Sequence, residues 1–161
     1  MTMLEGMTDN EKMWARFAAT MAVLERARNL ELAKFGLNMP QIEILCFLKD
    51  SKEPMTPMRL ARMMHKQPHT VSALVHRMEA RGLVSTKKDM TRKNWLRVSL
   101  TKKGEKALRD RLSARMVPDV FSCLSKKEAD MLFTITRRLH SKGVEALREM
   151  QRDAYSEQIL W

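Results

Sequence analysis

Side chains that can contact nucleic acid recur along one segment near the middle of the chain, "QPHTVSALVHR", which runs from Gln67 to Arg77. Amide, imidazole and hydroxyl groups bond to base edges, and hydroxyl and guanidinium groups bond to phosphate oxygens. Residues at the start of the segment are predicted base contacts, and two others are predicted phosphate contacts. The predicted base contacts are Gln67, His69, Thr70 and Ala73, and the predicted phosphate contacts are Ser72 and Arg77.

Each predicted base contact has a partner in the major groove of DNA. Glutamine bonds to adenine through two hydrogen bonds, histidine donates to guanine, and threonine or alanine contacts the methyl group of thymine. The alternative interpretation is that this polar face is only solvated. The basic residues that follow it favour DNA binding.

A helix has to present these side chains on one face, and the apolar residues of the segment predict that helix. They are spaced by three and four residues, so they form a stripe that turns the polar face outward. Pro68 suits the first turn, and Gly82 suits the left-handed position that ends a helix. The stripe consists of Val71, Leu74, Val75 and Met78.

A short helix is predicted just before this one, beginning with the cap and proline of Thr56 and Pro57. Its apolar residues predict an inner face, and its basic residues predict further phosphate contacts. The inner face consists of Leu60, Ala61 and Met64, and the phosphate contacts are Arg59, Arg62 and Lys66.

Two predicted strands follow the second helix. "LVSTKKD" and "WLRVSLT" favour strand, and the polar "MTRKN" between them predicts a hairpin tip. Lys87 and Lys88 on the first strand are predicted phosphate contacts. Because a narrow minor groove attracts an inserted basic side chain, Arg92 is the first candidate to enter it and Lys93 the second.

The net charge of the chain is concentrated around these elements. The whole chain carries a formal charge of +11. Between Ser51 and Gly104 there are 13 Lys or Arg residues and 3 acidic residues, whereas the other 107 residues include 17 Lys or Arg and 16 acidic residues. A localised excess of this kind indicates a polyanionic partner, most simply double-stranded DNA, because phosphates are neutralised where the protein touches them.

Longer helices are predicted on both sides of this region. The first extends from about Thr8 to Lys34, and the second begins at Asn38 and Pro40. After the hairpin, Thr101 is predicted to cap a helix that continues to about Met116, with Pro118 as its kink or end. "SKKE" from Ser125 is a capping box that predicts a final helix, to about Met150, with Gly143 as a weak point.

The order of these elements, with a basic hairpin after two helices joined by a tight turn, is that of a winged helix-turn-helix. The chain also resembles the MarR family of bacterial transcription regulators. The resemblance lies in "MTPMRLARMM", "HTVSALVHRMEARGLV", "VSLTKKGEKAL" and "LSKKE", and the order of elements agrees over roughly residues 8–150.

The resemblance implies a mainly α fold with a small β-hairpin wing. Residues 37–104 would form the winged helix-turn-helix lobe, and residues 1–36 and 105–161 would form a helical dimerisation region of a homodimer. Members of the family usually repress promoters and release DNA when a small ligand binds or when they are oxidised.

The chain departs from the family in the contact between helix and wing. The family commonly has an Asp where this chain has His76, and an Asp-x-Arg in the wing where it has Arg92, Lys93 and Asn94. Because both members of the family's ion pair are changed, the hypothesis for this chain is either a hydrogen bond between His76 and Asn94 or a looser wing.

The family also implies a small-molecule effector, bound between the dimerisation region and the winged lobe. Candidate lining residues are apolar side chains of the N-terminal helix and of the short helix that begins at Pro57. They are Trp14, Phe17, Met21, Met58 and Met64. The alternative interpretation is that these residues form the core of the dimer.

Other chemistry is not supported by the spacing of polar residues. His65, His69 and His76 lack the nearby Cys or carboxylate ligands of a typical metal site, so no metal and no cofactor are expected. Cys46 is expected to be buried and Cys123 to be the more reactive thiol, although both are interpreted as structural.

The sequence contains no phosphate-binding glycine loop, no nucleophile elbow and no supported carboxylate pair, so we expect no enzymatic activity. Its beginning does not resemble a secretory signal, and its longest apolar run, "ILCFL", is too short for a membrane span. We therefore expect a cytoplasmic, ligand-responsive repressor. Two alternatives remain at this point: an architectural protein that coats DNA without sequence preference, and a winged-helix module that binds other proteins.

Overall fold

The computed structural model describes residues 6–51, 53–88 and 96–158, with side chains described up to residue 152. The chain forms two compact units, Met1–Met116 and Val117–Trp161. The helices are α1 (Asp9–Ala33), α2 (Met39–Asp50), α3 (Pro57–Met63), α4 (Pro68–Ala80), α5 (Lys102–Asp110), α6 (Met116–Phe121) and α7 (Lys126–Gln158). The strands are β1 (Val84–Lys88) and β2 (Leu96–Leu100), and a 3-10 turn spans Arg111–Ser113.

The predicted starts of the first helices are confirmed. Asn38 accepts a hydrogen bond from the N–H of Gln41, whose side chain accepts one in return from the Asn38 N–H. Thr56 accepts from the N–H of Arg59 at the start of α3. These caps satisfy N–H groups that have no partner inside the helix, so each helix begins at a defined residue.

One core holds α2, α3, α4 and the two strands together. The predicted inner face of α4 is confirmed, since all four of its apolar residues are buried. Leu60 and Ala61 of α3 are also buried, and Met64 is half-buried against the same core. The rest of the first unit contributes the remaining core residues, which are Leu32, Leu37, Ile42, Ile44, Leu45, Leu48, Met55, Leu83, Val84 and Val98.

The two strands form the predicted antiparallel hairpin. Their register runs from the pair Val84–Leu100 to the pair Lys88–Leu96. Met55, which precedes α3, bridges to Val98 on the other side of β2. The tip of the hairpin, residues 89–95, lies outside the described residues.

Helix α5 begins where the chain leaves the wing. Thr101 caps it, as predicted, by accepting from the N–H of Gly104, and its hydroxyl also donates to the carbonyls of Gly82 and Leu83. Gly104 packs so closely that a Cβ placed there would lie 2.1 Å from the Leu83 carbonyl oxygen. A glycine is therefore needed for α5 to approach Leu83, the residue before β1.

The prediction of one helix from Thr101 to Met116 is wrong. Helix α5 ends at Asp110, the 3-10 turn follows, and Ala114 is extended. The backbone N–H groups of the next two residues donate to the carboxylate of Glu31 in α1 instead of to helical carbonyls. The chain therefore leaves the helix before Pro118, which lies in the first turn of α6 and is neither a kink nor an end.

In the second unit, the capping box at Ser125 is confirmed. The Ser125 hydroxyl accepts from the N–H of Glu128, whose carboxylate accepts from the Ser125 N–H and hydroxyl. Helix α7 continues through Gly143 to Gln158, past the predicted end at Met150, so Gly143 does not interrupt it. In the described ranges, no helix combines the length and apolar character that crossing a bilayer requires.

Candidate nucleic-acid interface

The N-terminal half of α4 exposes the predicted base contacts. Gln67 is the N-cap residue, and its side chain forms no capping hydrogen bond. His69, Thr70 and Ala73 follow on the first turns, and all four side chains are exposed. Because α4 is anchored by its buried stripe, these side chains extend from a rigid helix into solvent. That is the arrangement needed to enter a major groove.

The predicted phosphate contacts surround this helix in the same unit. Arg77 on α4 is exposed and Ser72 is half-buried. Helices α3 and α4 pack against each other, which places the basic residues of α3 and of the turn after it close to α4. Arg59, Arg62 and Lys66 are all exposed.

The turn between α3 and α4 is closed by a residue in the left-handed region. His65 has a φ of 51°, and the Lys66 N–H donates to the Ala61 carbonyl oxygen at 3.0 Å. This is the closure that usually ends a helix at a glycine. A histidine there fixes the angle between the two helices at a cost in backbone energy.

The wing carries part of the predicted basic set. Lys87 and Lys88 are exposed at the end of β1. The two candidates for the minor groove, Arg92 and Lys93, lie outside the described residues, as does Asn94. The hypothesis of a hydrogen bond between His76 and Asn94 therefore stays a prediction.

The described residues contain a contact between helix and wing that sequence reasoning missed. Oε1 of Glu79 in α4 accepts hydrogen bonds from the backbone N–H of Thr86 at 2.8 Å and from its hydroxyl at 2.6 Å. The hydroxyl and then the N–H of Thr86 lower the pKa of Glu79, and the nearby His76 lowers it further. An available signal was that Glu79 is the one acid in the sequence of α4.

The C-terminal end of α4 is held by a second contact. The Arg81 guanidinium donates to the carbonyl oxygen of Gly36, in the loop between α1 and α2. Gly36 has a φ of 66°, so the loop closes in the left-handed region that favours glycine. This contact ties the C-terminal end of α4 to the loop between α1 and α2.

The candidate effector residues lie on two parts of the first unit. Trp14, Phe17 and Met21 are exposed on α1, and Trp14 is 71% exposed. Met58 is exposed on α3, and Met64 is half-buried at its end. The role of these residues in binding an effector stays a prediction.

The two cysteines differ in their surroundings. Cys46 is half-buried on α2, with Nη2 of Arg111 3.5 Å from its Sγ atom, whereas Cys123 is exposed. Among the described residues, no group of three or more His, Cys, Asp or Glu side chains comes together as a metal site would require.

Comparison with known proteins gives one family. The family model described as "MarR family" matches residues 35–96, which include α2, α3, α4 and β1 and end at the first residue of β2. A search of curated protein sequences found no match to this chain.

Solved structures extend the likeness over most of the chain. The organohalide-sensing transcriptional regulator RdhR-CbdbA1625, solved with 2,4-dichlorophenol bound, is 28% identical with a TM-score of 0.77, over 86% of this chain and 83% of that one. AbsC, a MarR family transcriptional regulator from Streptomyces coelicolor, is 24% identical with a TM-score of 0.73, over 88% and 97%. MepR from S. aureus, solved with DNA, is 22% identical with a TM-score of 0.70, over 84% and 98%.

Proposed function

We infer that this chain is a member of the MarR family of winged helix-turn-helix transcription regulators, in line with the matching family model and the similar solved structures. We further infer that it binds double-stranded DNA through α4 and its wing. The observation that carries this inference is the two-sided character of α4. Its apolar stripe is fully packed in the core, while every predicted base contact on the opposite side is exposed. Exposed basic residues flank this face on α3 and β1.

We propose separate roles for the side chains of this surface. Gln67, His69, Thr70 and Ala73 read base edges, because the first turns of a recognition helix enter the major groove. The basic residues and Ser72 bind phosphates and fix the register without reading sequence. The phosphate contacts are Arg59, Arg62, Lys66, Ser72, Arg77, Lys87 and Lys88, with Arg92 and then Lys93 entering the minor groove.

We propose that the regulator is a homodimer that binds a pseudo-palindromic operator. Residues 1–36 and 105–161 would form the dimerisation region, and residues 37–104 the DNA-binding lobe. Helix α1 supports this assignment with exposed apolar side chains that include Met13, Val23 and Leu30. Two lobes related by a twofold axis would enter successive major grooves, which places the half-sites about 10 bp apart.

We propose that a small-molecule effector controls this binding and that the regulator is a repressor. The regulator RdhR-CbdbA1625, which resembles this chain over most of its length, was solved with 2,4-dichlorophenol bound. A chlorinated aromatic compound of this size suits the candidate residues, which offer two aromatic side chains and three methionines. Trp14, Phe17, Met21, Met58 and Met64 would contact it.

The remaining proposals follow from the DNA partner. The family is one of transcription regulators, and we propose that this chain acts without catalysis and without a cofactor. We propose a cytoplasmic location, since bacterial DNA lies there.

Selection of bound duplexes from a random pool, followed by salt titration, tests the proposed function. A sequence-specific regulator enriches one motif and binds it at least ~10³-fold more tightly than random DNA. An architectural protein enriches no motif and shows a steep salt dependence on every sequence. A module that binds proteins shows no measurable DNA affinity.

A further inference from the structure

We propose that Glu79 and Thr86 are positioning residues that fix the direction of the wing relative to the recognition helix. This inference rests on the proposed DNA binding and goes further, because it assigns a role to two residues that contact no DNA themselves. The contact joins the last turn of α4 to the middle of β1.

The first argument comes from the register of the hairpin. Thr86 lies opposite Val98. Val98 uses both its N–H and its carbonyl to bond with Met55, at 2.7 Å and 3.0 Å, so these groups point away from β1. When two residues lie opposite each other in antiparallel strands, their N–H and C=O groups either all point toward the partner strand or all point away from it. The Thr86 N–H therefore points away from β2, where Glu79 accepts it.

It follows that the pair Thr86 and Val98 forms hydrogen bonds at both outer edges of the hairpin. Met55 holds it from the segment before α3, and Glu79 holds it from α4. This pair is therefore attached to α4 on one side and to the segment that leads into α3 on the other. The next residues of β1, the exposed Lys87 and Lys88, extend in the direction that the attachment sets.

The second argument comes from charge. Glu79 is the one acidic residue in the sequence of α4, on a surface that has to approach phosphates. A carboxylate there repels DNA unless it is compensated. Two hydrogen bonds from Thr86 engage Oε1 of this carboxylate, so groups of β1 compensate part of its charge.

The two contacts from Thr86 also differ in how they can be tested. The backbone N–H bond persists in any Thr86 variant, whereas the hydroxyl bond is removed in Thr86→Val and kept in Thr86→Ser. Valine preserves the branched shape that suits a strand. Glu79→Gln keeps an acceptor oxygen and removes the charge. Ser85→Ala, on the neighbouring and also half-buried position of β1, is the matched control.

The experiment measures affinity for two duplexes that share the selected operator and differ only in the flank facing the wing. One flank is an A-tract with a narrow minor groove, and the other is G·C-rich. The parent and Thr86→Ser should prefer the A-tract. Thr86→Val and Glu79→Gln should lose about tenfold on the A-tract duplex, the equivalent of one hydrogen bond to a charged group, and little on the other.

Melting temperatures separate positioning from folding. We expect both variants to melt cooperatively and to keep the same preferred operator sequence as the parent. Equal losses on the two duplexes, no loss on either, or a parent without flank preference would each overturn the positioning role. A parent that binds neither duplex would instead contradict the proposed DNA binding, and the inference would fail with it.

Discussion

The carboxylate of Glu31 lies 2.6 Å from the backbone N–H of Arg115, a contact that spans 84 positions of the sequence. The same oxygen accepts from the N–H of Met116 at 2.8 Å, and the other oxygen bonds to Arg28 at 2.6 Å. The end of α1 thus holds the backbone at Arg115 and Met116. This contact explains why the chain leaves its helical path after α5 and begins a new helix at Met116.

Glu31→Gln should destabilise the protein at neutral pH and make it less sensitive to acid. The Met116 N–H, together with Arg28 and the Arg115 N–H, lowers the pKa of Glu31 despite the opposing effect of burial. Because the pKa is lower in the folded state, the ionised carboxylate stabilises the fold at pH values above its ordinary pKa of 4.5. This stabilisation is lost as the pH falls through the folded-state pKa.

Melting curves between neutral pH and the acidic range check this prediction. The melting temperature of the parent should exceed that of Glu31→Gln at pH 7, and the two should converge as the pH falls below about 4.5. Glu25→Gln, an exposed position on the same helix, is the control and should follow the parent throughout. A constant difference between parent and Glu31→Gln across this range would contradict the account.

The same substitution should have opposite effects at two glycines. Gly104→Ala places a methyl group against the Leu83 carbonyl and should cost about 1–3 kcal/mol of unfolding free energy. Gly143→Ala lies within α7 with nothing within 4 Å of the added Cβ, and should add about 0.5–1 kcal/mol. Urea unfolding measures both, and equal effects would show that α5 does not pack on Leu83 as described.

The turn between the two helices of the motif predicts a preference for residue type at position 65. Because His65 is in the left-handed region, His65→Val should be less stable than His65→Gly by about 1–2 kcal/mol. Ala80, at the end of α4, is a control position in ordinary helical conformation. There the order should reverse, and Ala80→Gly should be less stable than Ala80→Val. A His65→Val protein as stable as His65→Gly would contradict the left-handed turn.

Much of this architecture could be predicted from local sequence. The caps at Asn38, Thr56 and Ser125 depend on residues within three positions of each other, so they are visible without a structure. The buried stripe of α4 follows in the same way from its helical spacing. The exposure of the base contacts on its other side is a consequence of that stripe.

The contacts that sequence reasoning missed join residues from different elements. The break after α5 depends on Glu31, which lies 84 positions before Arg115, and no local pattern connects the two. The link between helix and wing was assigned by resemblance to His76 and Asn94, because the family has an ion pair at those positions. Glu79 and Thr86 are closer in sequence, but their contact depends on the register of the hairpin.

Base contacts and phosphate contacts should respond differently to alanine. His69→Ala should cost about 1–3 kcal/mol on the preferred operator and relax the base preference at one position. Arg77→Ala should weaken binding to all sequences similarly and reduce the salt slope by about 1. Binding measured across a panel of single-base operator variants at several salt concentrations separates the two. Identical profiles for these variants would contradict the assigned roles.

The central claim is that the exposed start of α4 reads base sequence, and one ratio tests it most directly. The quantity is the affinity for the selected operator divided by that for random DNA of equal length at physiological salt. The parent should give a ratio of ~10³ or more. A triple variant, Gln67→Ala with His69→Ala and Thr70→Ala, should approach a ratio of about one while keeping its affinity for random DNA, because the phosphate contacts remain. A triple variant that keeps the parent's ratio would contradict the claim.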